Sequence, residues 1–194
     1  MVTAERYRIL TVDDNEDVLE LIQLTLGQDY DVVTLSNPLD VYEIIDLFEP
    51  DLLILDVMMP KVNGFQLTEM LRKNPKTKDL PIIILSAKVN AGDIKHGYRL
   101  GATLYLTKPF QPDRLIKNVE TQFRLNPPDT NKKSSNLRQV VAQIEVKQSY
   151  RKGMIRLSQR IMQHDQVVDV HRKIRDKIVA EEKERKGAQL HWED

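Results

Sequence analysis

Short apolar runs alternate with longer stretches of helical periodicity over the first 125 residues. The apolar runs lie at residues 7–12, 31–35, 51–55, 81–85 and 103–106. Stretches with helical spacing follow them, at about 15–27, 38–48, 64–73, 91–99 and 111–125. Runs that are apolar on both faces and separated by helices are typical of a parallel sheet covered on both sides. The pattern therefore predicts an α/β fold: a doubly wound sheet of five parallel strands in the flavodoxin-like order 2-1-3-4-5.

The chain after residue 125 follows a different pattern. Residues 126–136 are polar and contain two prolines, which predicts a linker between a domain at 1–125 and an all-α extension at 137–194. Ser135 or Asn136 is a candidate cap for the next helix. Apolar residues in the extension fall into three sets, each on one helical face: Leu137, Val140, Val141 and Ile144; Tyr150, Met154, Leu157 and Ile161; Val167, Val170, Ile174 and Ile178. The face changes register between sets. We therefore expect two or three helices or an interrupted coiled coil, with Gly153 as the candidate break.

The zero net charge of the chain conceals two oppositely charged parts. Residues 1–129 hold 14 Lys/Arg and 20 Asp/Glu, a net charge of −6. Residues 130–194 hold 15 and 9, a net charge of +6. This reversal indicates two parts with different tasks. The basic part is explained either by a solvated helical face or by attraction to an acidic partner, to nucleic acid or to the chain's own acidic domain.

Several classes of protein are disfavoured by composition. The chain has no cysteine, so disulfides and thiolate metal sites are excluded. The longest apolar runs have the length of strands, and the N-terminal residues lack the apolar core of a signal peptide. The sequence therefore predicts a soluble cytoplasmic protein that does not interact with a membrane.

Polar side chains with related chemistry follow four of the five apolar runs. Asp56 ends the buried run 52–55, and a carboxylate there is costly unless it has a task. The other residues at strand ends are Asp13, Asp14, Ser86 and Lys108. The carboxyl ends of neighbouring parallel strands meet at one edge of the sheet, where three carboxylates suit a hard cation such as Mg²⁺.

The five residues fit the chemistry of phosphoryl transfer. Asp13, Asp14 and Asp56 would hold Mg²⁺, and Asp56 would be the nucleophile that forms an acyl phosphate. Lys108 would pair with Asp56 or with phosphate oxygens, and Ser86 would donate a hydrogen bond to one of them. Each residue also has a simpler explanation: a helix cap for the acidic pair, a turn residue for Ser86, a surface charge for Lys108. The coincidence of all five at matching strand ends favours the chemical explanation.

Residues 6 to about 124 resemble the receiver domain of bacterial two-component response regulators, specifically the chemotaxis-regulator type. The resemblance covers about three-fifths of the chain and rests on four motifs: Val12-Asp13-Asp14-Asn15; Asp56-Val57-Met58-Met59-Pro60 with Gly64; Ser86-Ala87; and Lys108-Pro109-Phe110. The extension resembles no family.

The resemblance implies a role for each residue. Asp56 would accept a phosphoryl group from a sensor histidine kinase or a phosphotransfer protein. Asp14, Asp56 and the carbonyl of Met58 would bind Mg²⁺, with Asp13 acting mainly through water. Ser86 would move toward the phosphate and Tyr105 would swing inward behind it, which changes the surface of the fourth helix, fifth strand and fifth helix. Tyr105 is otherwise an ordinary strand aromatic.

The output of the extension has more than one explanation. We expect a helical arm for dimerisation or for an effector protein. A nucleic-acid-binding tail is the alternative, because Lys152, Arg156 and Arg160 form a basic stripe at i, i+4 and i+8. A third hypothesis is phosphotransfer through His164 or His171.

An enzyme of the haloacid-dehalogenase kind also uses an Asp nucleophile with Mg²⁺. Its nucleophile typically opens a D-x-D motif, whereas Asp56 is followed by Val57 and Met58. The sequence therefore predicts a signalling receiver, limited to Mg-dependent self-phosphorylation and self-dephosphorylation, and not an enzyme.

Overall fold

The structure is a computed structural model, and it describes residues 6–127, 137, 139–160, 162, 163 and 169. Five strands alternate with five helices: β1 (Arg8–Val12), α1 (Glu16–Leu26), β2 (Asp31–Leu35), α2 (Val41–Phe48), β3 (Leu52–Asp56), α3 (Gly64–Lys73), β4 (Ile82–Ser86), α4 (Ala91–Arg99), β5 (Leu104–Thr107) and α5 (Pro112–Leu125). A single 3₁₀ turn, Pro38–Asp40, precedes α2. Residues 139–160 are helical and are named α6.

The strands form one parallel sheet in the order β2-β1-β3-β4-β5. The predicted architecture and strand order are therefore confirmed. Strand order reverses between β1 and β3, and in doubly wound sheets ligand sites form at the carboxyl ends of strands beside such a reversal. Asp13 follows β1 directly and Asp56 ends β3, so the fold places both side chains at this position.

Apolar side chains fill both faces of the sheet. One core cluster joins strand residues such as Ile9 and Ile54 to α1 and α5. The alternate strand residues are equally buried, so the other face is also covered. Contacts of Phe48 with Arg8 and of Gly97 with Tyr105 place α2 and α4 on that second face.

The ends of several elements differ from prediction by one to three residues. Asp56 and Ser86 are the last residues of β3 and β4, whereas we expected both just beyond the strand ends. They pair in register with Leu85 and Thr107, because ladder hydrogen bonds are made by the backbone whatever the side chain.

Two predicted helices begin later than expected. The predicted helix at 38–48 opens as the 3₁₀ turn capped by the Asn37 side chain. Gln111 is the N-cap of α5 rather than its first residue.

The C-terminal part contains one continuous described helix. The chain divides into two compact units, Met1–Val141 and Ala142–Asp194. The predicted break at Gly153 is wrong, because residues 139–160 are helical without interruption. Among the described residues, no atom outside its chain neighbours and its own helix backbone lies within 4 Å of the place of a Cβ on Gly153. A glycine weakens a helix but does not end it unless another structure competes for the backbone.

Other expectations for this region lie outside the described residues. They concern most of the predicted linker, the caps Ser135 and Asn136, and the histidines His164 and His171. None of the helices in the described part of the chain combines the length and the apolar composition that a membrane span requires.

Candidate functional site

Three carboxylates converge at the carboxyl edge of the sheet. Each of Asp13, Asp14 and Asp56 offers an oxygen within 4.8 Å of the others. Asp13 and Asp56 are almost fully buried, at 1% and 3% exposure, while Asp14 is exposed. An all-oxygen set of this kind is the donor chemistry that hard divalent cations prefer, and its open side faces solvent at Asp14.

Lys108 supplies the positive charge between the two buried acids. Its ammonium donates to Asp13 Oδ2 at 2.5 Å and lies 2.7 Å from Asp56 Oδ1. Burial opposes the charge on Lys108, but its bonds to Asp13 and Asp56 outweigh burial and raise the pKa of the ammonium. One ammonium thus compensates two buried carboxylates.

Asp13 is the member of this group whose charged form is disfavoured by its environment. Burial raises the pKa of the Asp13 carboxyl above its ordinary value, and the bonds from Lys108 and from the backbone N–H of Asn15 offset burial only in part. Asn15 also caps α1, because its side chain accepts from the N–H groups of Asp17 and Val18. The acidic residues are therefore free of the capping task that was the alternative explanation for them.

The loop after β3 is held in place by a close backbone approach at Gly64. Gly64 donates its N–H to the carbonyl of Val57 at 3.0 Å. A Cβ on Gly64 would lie 2.1 Å from the backbone oxygen of Asp56, so no other residue fits without moving the loop. Asn63 and Gln66 form a capping box that begins α3 at this point. Met58, between Asp56 and Gly64, has an exposed side chain.

Ser86 and Lys108 are aligned by the edge of the sheet. Ser86 is fully buried, and its carbonyl accepts from the Lys108 N–H at 2.8 Å. The peptide bond between Lys108 and Pro109 is cis. The Ser86 hydroxyl accepts from the backbone N–H of Lys88 at 3.0 Å. The hydroxyl is therefore oriented by the same short segment that contacts Tyr105.

Tyr105 lies inward, at 8% exposure. Its hydroxyl donates to the carbonyl of Lys88 at 2.9 Å, and burial raises the pKa of that hydroxyl. Lys88 thus has backbone contacts with both Ser86 and Tyr105. The Lys88 ammonium lies 3.6 Å from Asp93 on α4 and 5.8 Å from the centre of the Phe65 ring on α3.

The structure brings most of the predicted residues together. Asp13, Asp14, Asp56 and Lys108 form one cluster, and Ser86 is tied to Lys108 through the backbone. Sequence reasoning missed the capping role of Asn15 and the contacts of Lys88 and Gly97 with Tyr105. The signal available for Gly97 was a lone glycine inside a helical pattern, which often has a packing reason.

Residues 9–120 match the response regulator receiver domain family. The chain belongs to this family. The receiver assignment made from the four motifs is confirmed, and the domain is a signalling domain.

Two relatives, one from Synechocystis and one from Mycobacterium tuberculosis, show how far the similarity extends. Response regulator Rre1 of Synechocystis is 32% identical over 146 residues, covering 73% of this chain and 63% of Rre1. The DNA-binding response regulator MtrA of Mycobacterium tuberculosis is 33% identical over 122 residues, covering 62% of this chain and 52% of MtrA. The chain spans about half to three-fifths of the length of these relatives.

Solved structures agree with the receiver fold. The chemotaxis protein CheY4 of Vibrio cholerae superimposes with a TM-score of 0.58 at 28% identity, over 60% of this chain and 98% of CheY4. A putative response regulator from Chloroflexus aurantiacus has a TM-score of 0.57 at 35% identity, over 60% of this chain and 97% of that protein. Each of these comparisons covers three-fifths of this chain and nearly all of the other protein.

Proposed function

We propose that this chain is a two-component response regulator that accepts a phosphoryl group on Asp56 from a sensor histidine kinase or a phosphotransfer protein. The observation that carries this proposal is the position of Asp56: a buried strand-end carboxylate with an ammonium 2.7 Å from one oxygen and two more acids beside it. Such a group is costly to bury unless it has a task, and membership of the receiver family supports the task proposed here.

The three acids fit Mg²⁺. Asp14 and Asp56, with the carbonyl of Met58, would bind the ion, and Asp13 would act mainly through water. An ion held there would neutralise phosphoryl oxygens and so lower the cost of bringing them to a carboxylate. The residues of the chain supply the rest, because the Lys108 ammonium holds Asp56 in place at 2.7 Å.

The transfer step balances without any further reactant. A carboxylate oxygen of Asp56 attacks phosphorus, the bond from phosphorus to the donor nitrogen breaks, and its electron pair stays with the donor histidine. Lys108 can follow the negative charge from Asp56 to a phosphoryl oxygen, and Ser86 can donate its hydroxyl to another. Hydrolysis of the acyl phosphate returns Asp56, so the chain processes only its own phosphoryl group.

A labelling experiment tests Asp56 directly. Incubation with acetyl phosphate and Mg²⁺ should add one phosphoryl group by intact mass, and Asp56→Asn should abolish the addition. Asp113→Asn is a matched control, because Asp113 is also an aspartate but is exposed on α5. Equal labelling of the Asp56→Asn protein would exclude Asp56 as the acceptor.

For the output we propose a receiver at residues 1–125, a linker at 126–136 and a helical extension at 137–194 that dimerises or binds an effector. The support is an exposed apolar stripe along α6 at the spacing i, i+4, i+8 and i+11, made of Val146, Tyr150, Met154 and Leu157. These side chains are 46–72% exposed, and an apolar stripe on one helical face is the form that helix-to-helix contacts take.

Nucleic-acid binding is the second candidate output. Lys152, Arg156 and Arg160 are exposed on α6, and MtrA is by name a DNA-binding regulator. Its match leaves about half of MtrA uncovered, so the name transfers no activity. Fluorescence anisotropy of a labelled DNA duplex decides: binding that weakens steeply with salt supports this output, and no binding at low salt excludes it.

A further inference from the structure

Gly97, in the middle of α4, lies directly against the ring of Tyr105. A Cβ on Gly97 would be 3.0 Å from Cδ2 and 3.3 Å from Cε2 of Tyr105, and 3.3 Å from Cδ1 of Ile84. We call the space bounded by Gly97, Ile84 and the Lys88 carbonyl the Tyr105 seat. A methyl group at position 97 would therefore require the Tyr105 ring or the Ile84 side chain to shift by a few tenths of an ångström.

Neither neighbour of Gly97 can easily move aside. Ile84 is fully buried on β4, and Tyr105 is 8% exposed. The Tyr105 ring is held at its far end by the hydroxyl bond to Lys88. The backbone N–H of Tyr105 donates to the Tyr98 hydroxyl at 3.3 Å. Two successive residues of α4, Gly97 and Tyr98, therefore contact Tyr105. Packed interiors accommodate an added methyl group poorly when all its neighbours are fixed.

We infer that Gly97 is a positioning residue for Tyr105: it allows the inward orientation and makes that orientation depend on the place of α4. This inference rests on the proposed receiver function and on the role that the family resemblance implies for Tyr105, an inward swing that accompanies phosphorylation of Asp56. With glycine at position 97, the Tyr105 ring and α4 pack in close contact and leave little space between them. A displacement of α4 toward β5 would push the ring out, and an empty seat would let α4 approach.

The general effect of glycine on helices points the opposite way. Replacing an interior glycine by alanine normally favours a helix, because alanine has less backbone freedom to lose. If Gly97 were only a weak helix residue, Gly97→Ala would strengthen α4 and leave Tyr105 in its seat. Displacement of the Tyr105 ring in Gly97→Ala would therefore be an effect of packing, because helix propensity alone predicts no such displacement.

The experiment uses the full chain labelled with 3-fluorotyrosine and observed by fluorine NMR. The chain has six tyrosines, and the Tyr105 signal is assigned by its loss in Tyr105→Phe. Tyr7 and Tyr30 pack on Phe123 and serve as internal references for the rest of the fold. Gly92→Ala is the matched control: it lies on the same helix, and the described contact of its Cβ outside the helix backbone is with Oδ1 of the exposed Asn90 side chain, at 3.2 Å.

In Gly97→Ala we expect the exposed population of Tyr105 to rise roughly tenfold, the effect that overpacking of a fixed site produces. The Tyr7 and Tyr30 signals should stay in place, and Gly92→Ala should leave Tyr105 unchanged. An unmoved Tyr105 signal in Gly97→Ala overturns the inference.

Two further measurements separate the remaining outcomes. If Gly97→Ala does not fold, the double variant Gly97→Ala/Tyr105→Leu decides, because removal of the ring relieves the contact. Recovery of folding supports the inference, and failure to recover overturns it. Acetyl phosphate labelling of the unsubstituted chain tests the proposed function separately, since the Tyr105 signal reports on the seat whether or not Asp56 is phosphorylated.

Discussion

At the scale of single residues, the acidic site lowers the stability of the folded chain. Two buried carboxylates share one ammonium, and burial raises the pKa of Asp13. A carboxyl whose folded-state pKa is raised adds stability only while it is protonated. That stability is fully present below the unfolded pKa, near 3.8, and is lost as pH rises through the folded pKa. At neutral pH without metal, the charge on Asp13 therefore opposes folding.

Asp13→Asn should consequently raise the melting temperature in EDTA at pH 7. We expect a gain of roughly 2–4 °C, the shift that about 1 kcal/mol produces in a chain of this size. The gain should disappear near pH 3, where the aspartate is neutral in both states. Calorimetry at the two pH values measures it.

Mg²⁺ provides the control for this prediction. The ion should stabilise the unsubstituted chain more than the Asp13→Asn chain, because the variant lacks one of the three carboxylates. A lower melting temperature for Asp13→Asn in EDTA at pH 7 would contradict the stated balance between burial and the Lys108 ion pair.

Residue types at strand ends could be predicted from sequence, and their packing could not. Asp56, Ser86 and Lys108 were identifiable because a polar group after an apolar run is rare and its chemistry follows from its type. Gly97 has no chemistry of its own. Its contact with Tyr105 depends on how closely α4 approaches β5, which a single sequence does not specify.

At the scale of elements, Arg72 joins three segments of the chain. From α3 its guanidinium donates to the Gly101 carbonyl through Nε at 3.0 Å and Nη2 at 2.8 Å, and to the Thr77 carbonyl at 3.2 Å. Gly101 has φ of +99°, and a Cβ there would lie 2.8 Å from Arg72 Nε. The turn between α4 and β5 is therefore shaped around this side chain.

Arg72→Lys should lower the free energy of unfolding by about 2 kcal/mol, because an ammonium keeps the charge but cannot make the planar two-bond contact. Urea denaturation measures the loss. Arg124→Lys is the matched control, since Arg124 is exposed near the end of α5, and a change within about 0.5 kcal/mol is expected there. Equal effects of the two substitutions would show that the Arg72 contacts contribute little.

Element positions were predictable because the periodicity of apolar residues extends over whole strands and helices. The bounds of α3 and α4 agree with the pattern to the residue. One end that differed is the start of α2, which follows the turn at Pro38–Asp40 that the Asn37 side chain caps. The same limit applies to Gly153. Helix propensity predicted a break there, but no contact among the described residues competes with the helix for its backbone.

At the scale of the whole molecule, the chain combines an assigned receiver with an unassigned basic extension. The net charges of −6 and +6 on its two parts, and a family match that ends at residue 120, both separate the extension from the receiver. Between residues 146 and 160 the sequence has five cations and no acid. The apolar stripe of α6 therefore lies among positive charges. Two copies of the chain that pack through this stripe would have to bring these charges together or hold them apart.

The stripe gives the last prediction. If it joins two copies of the chain, Tyr150→Glu should convert a dimer to a monomer, because Tyr150 is 72% exposed in the middle of the stripe and a buried carboxylate at a helix contact is costly. Ser149→Glu is the matched control: it adds the same charge at the neighbouring exposed position, about 100° away around the helix. Light scattering of the full chain, with and without acetyl phosphate and Mg²⁺, measures the mass. A dimer that survives Tyr150→Glu excludes the stripe as the dimer contact. A chain that is monomeric throughout excludes dimerisation through the stripe and leaves binding of an effector as the proposed output.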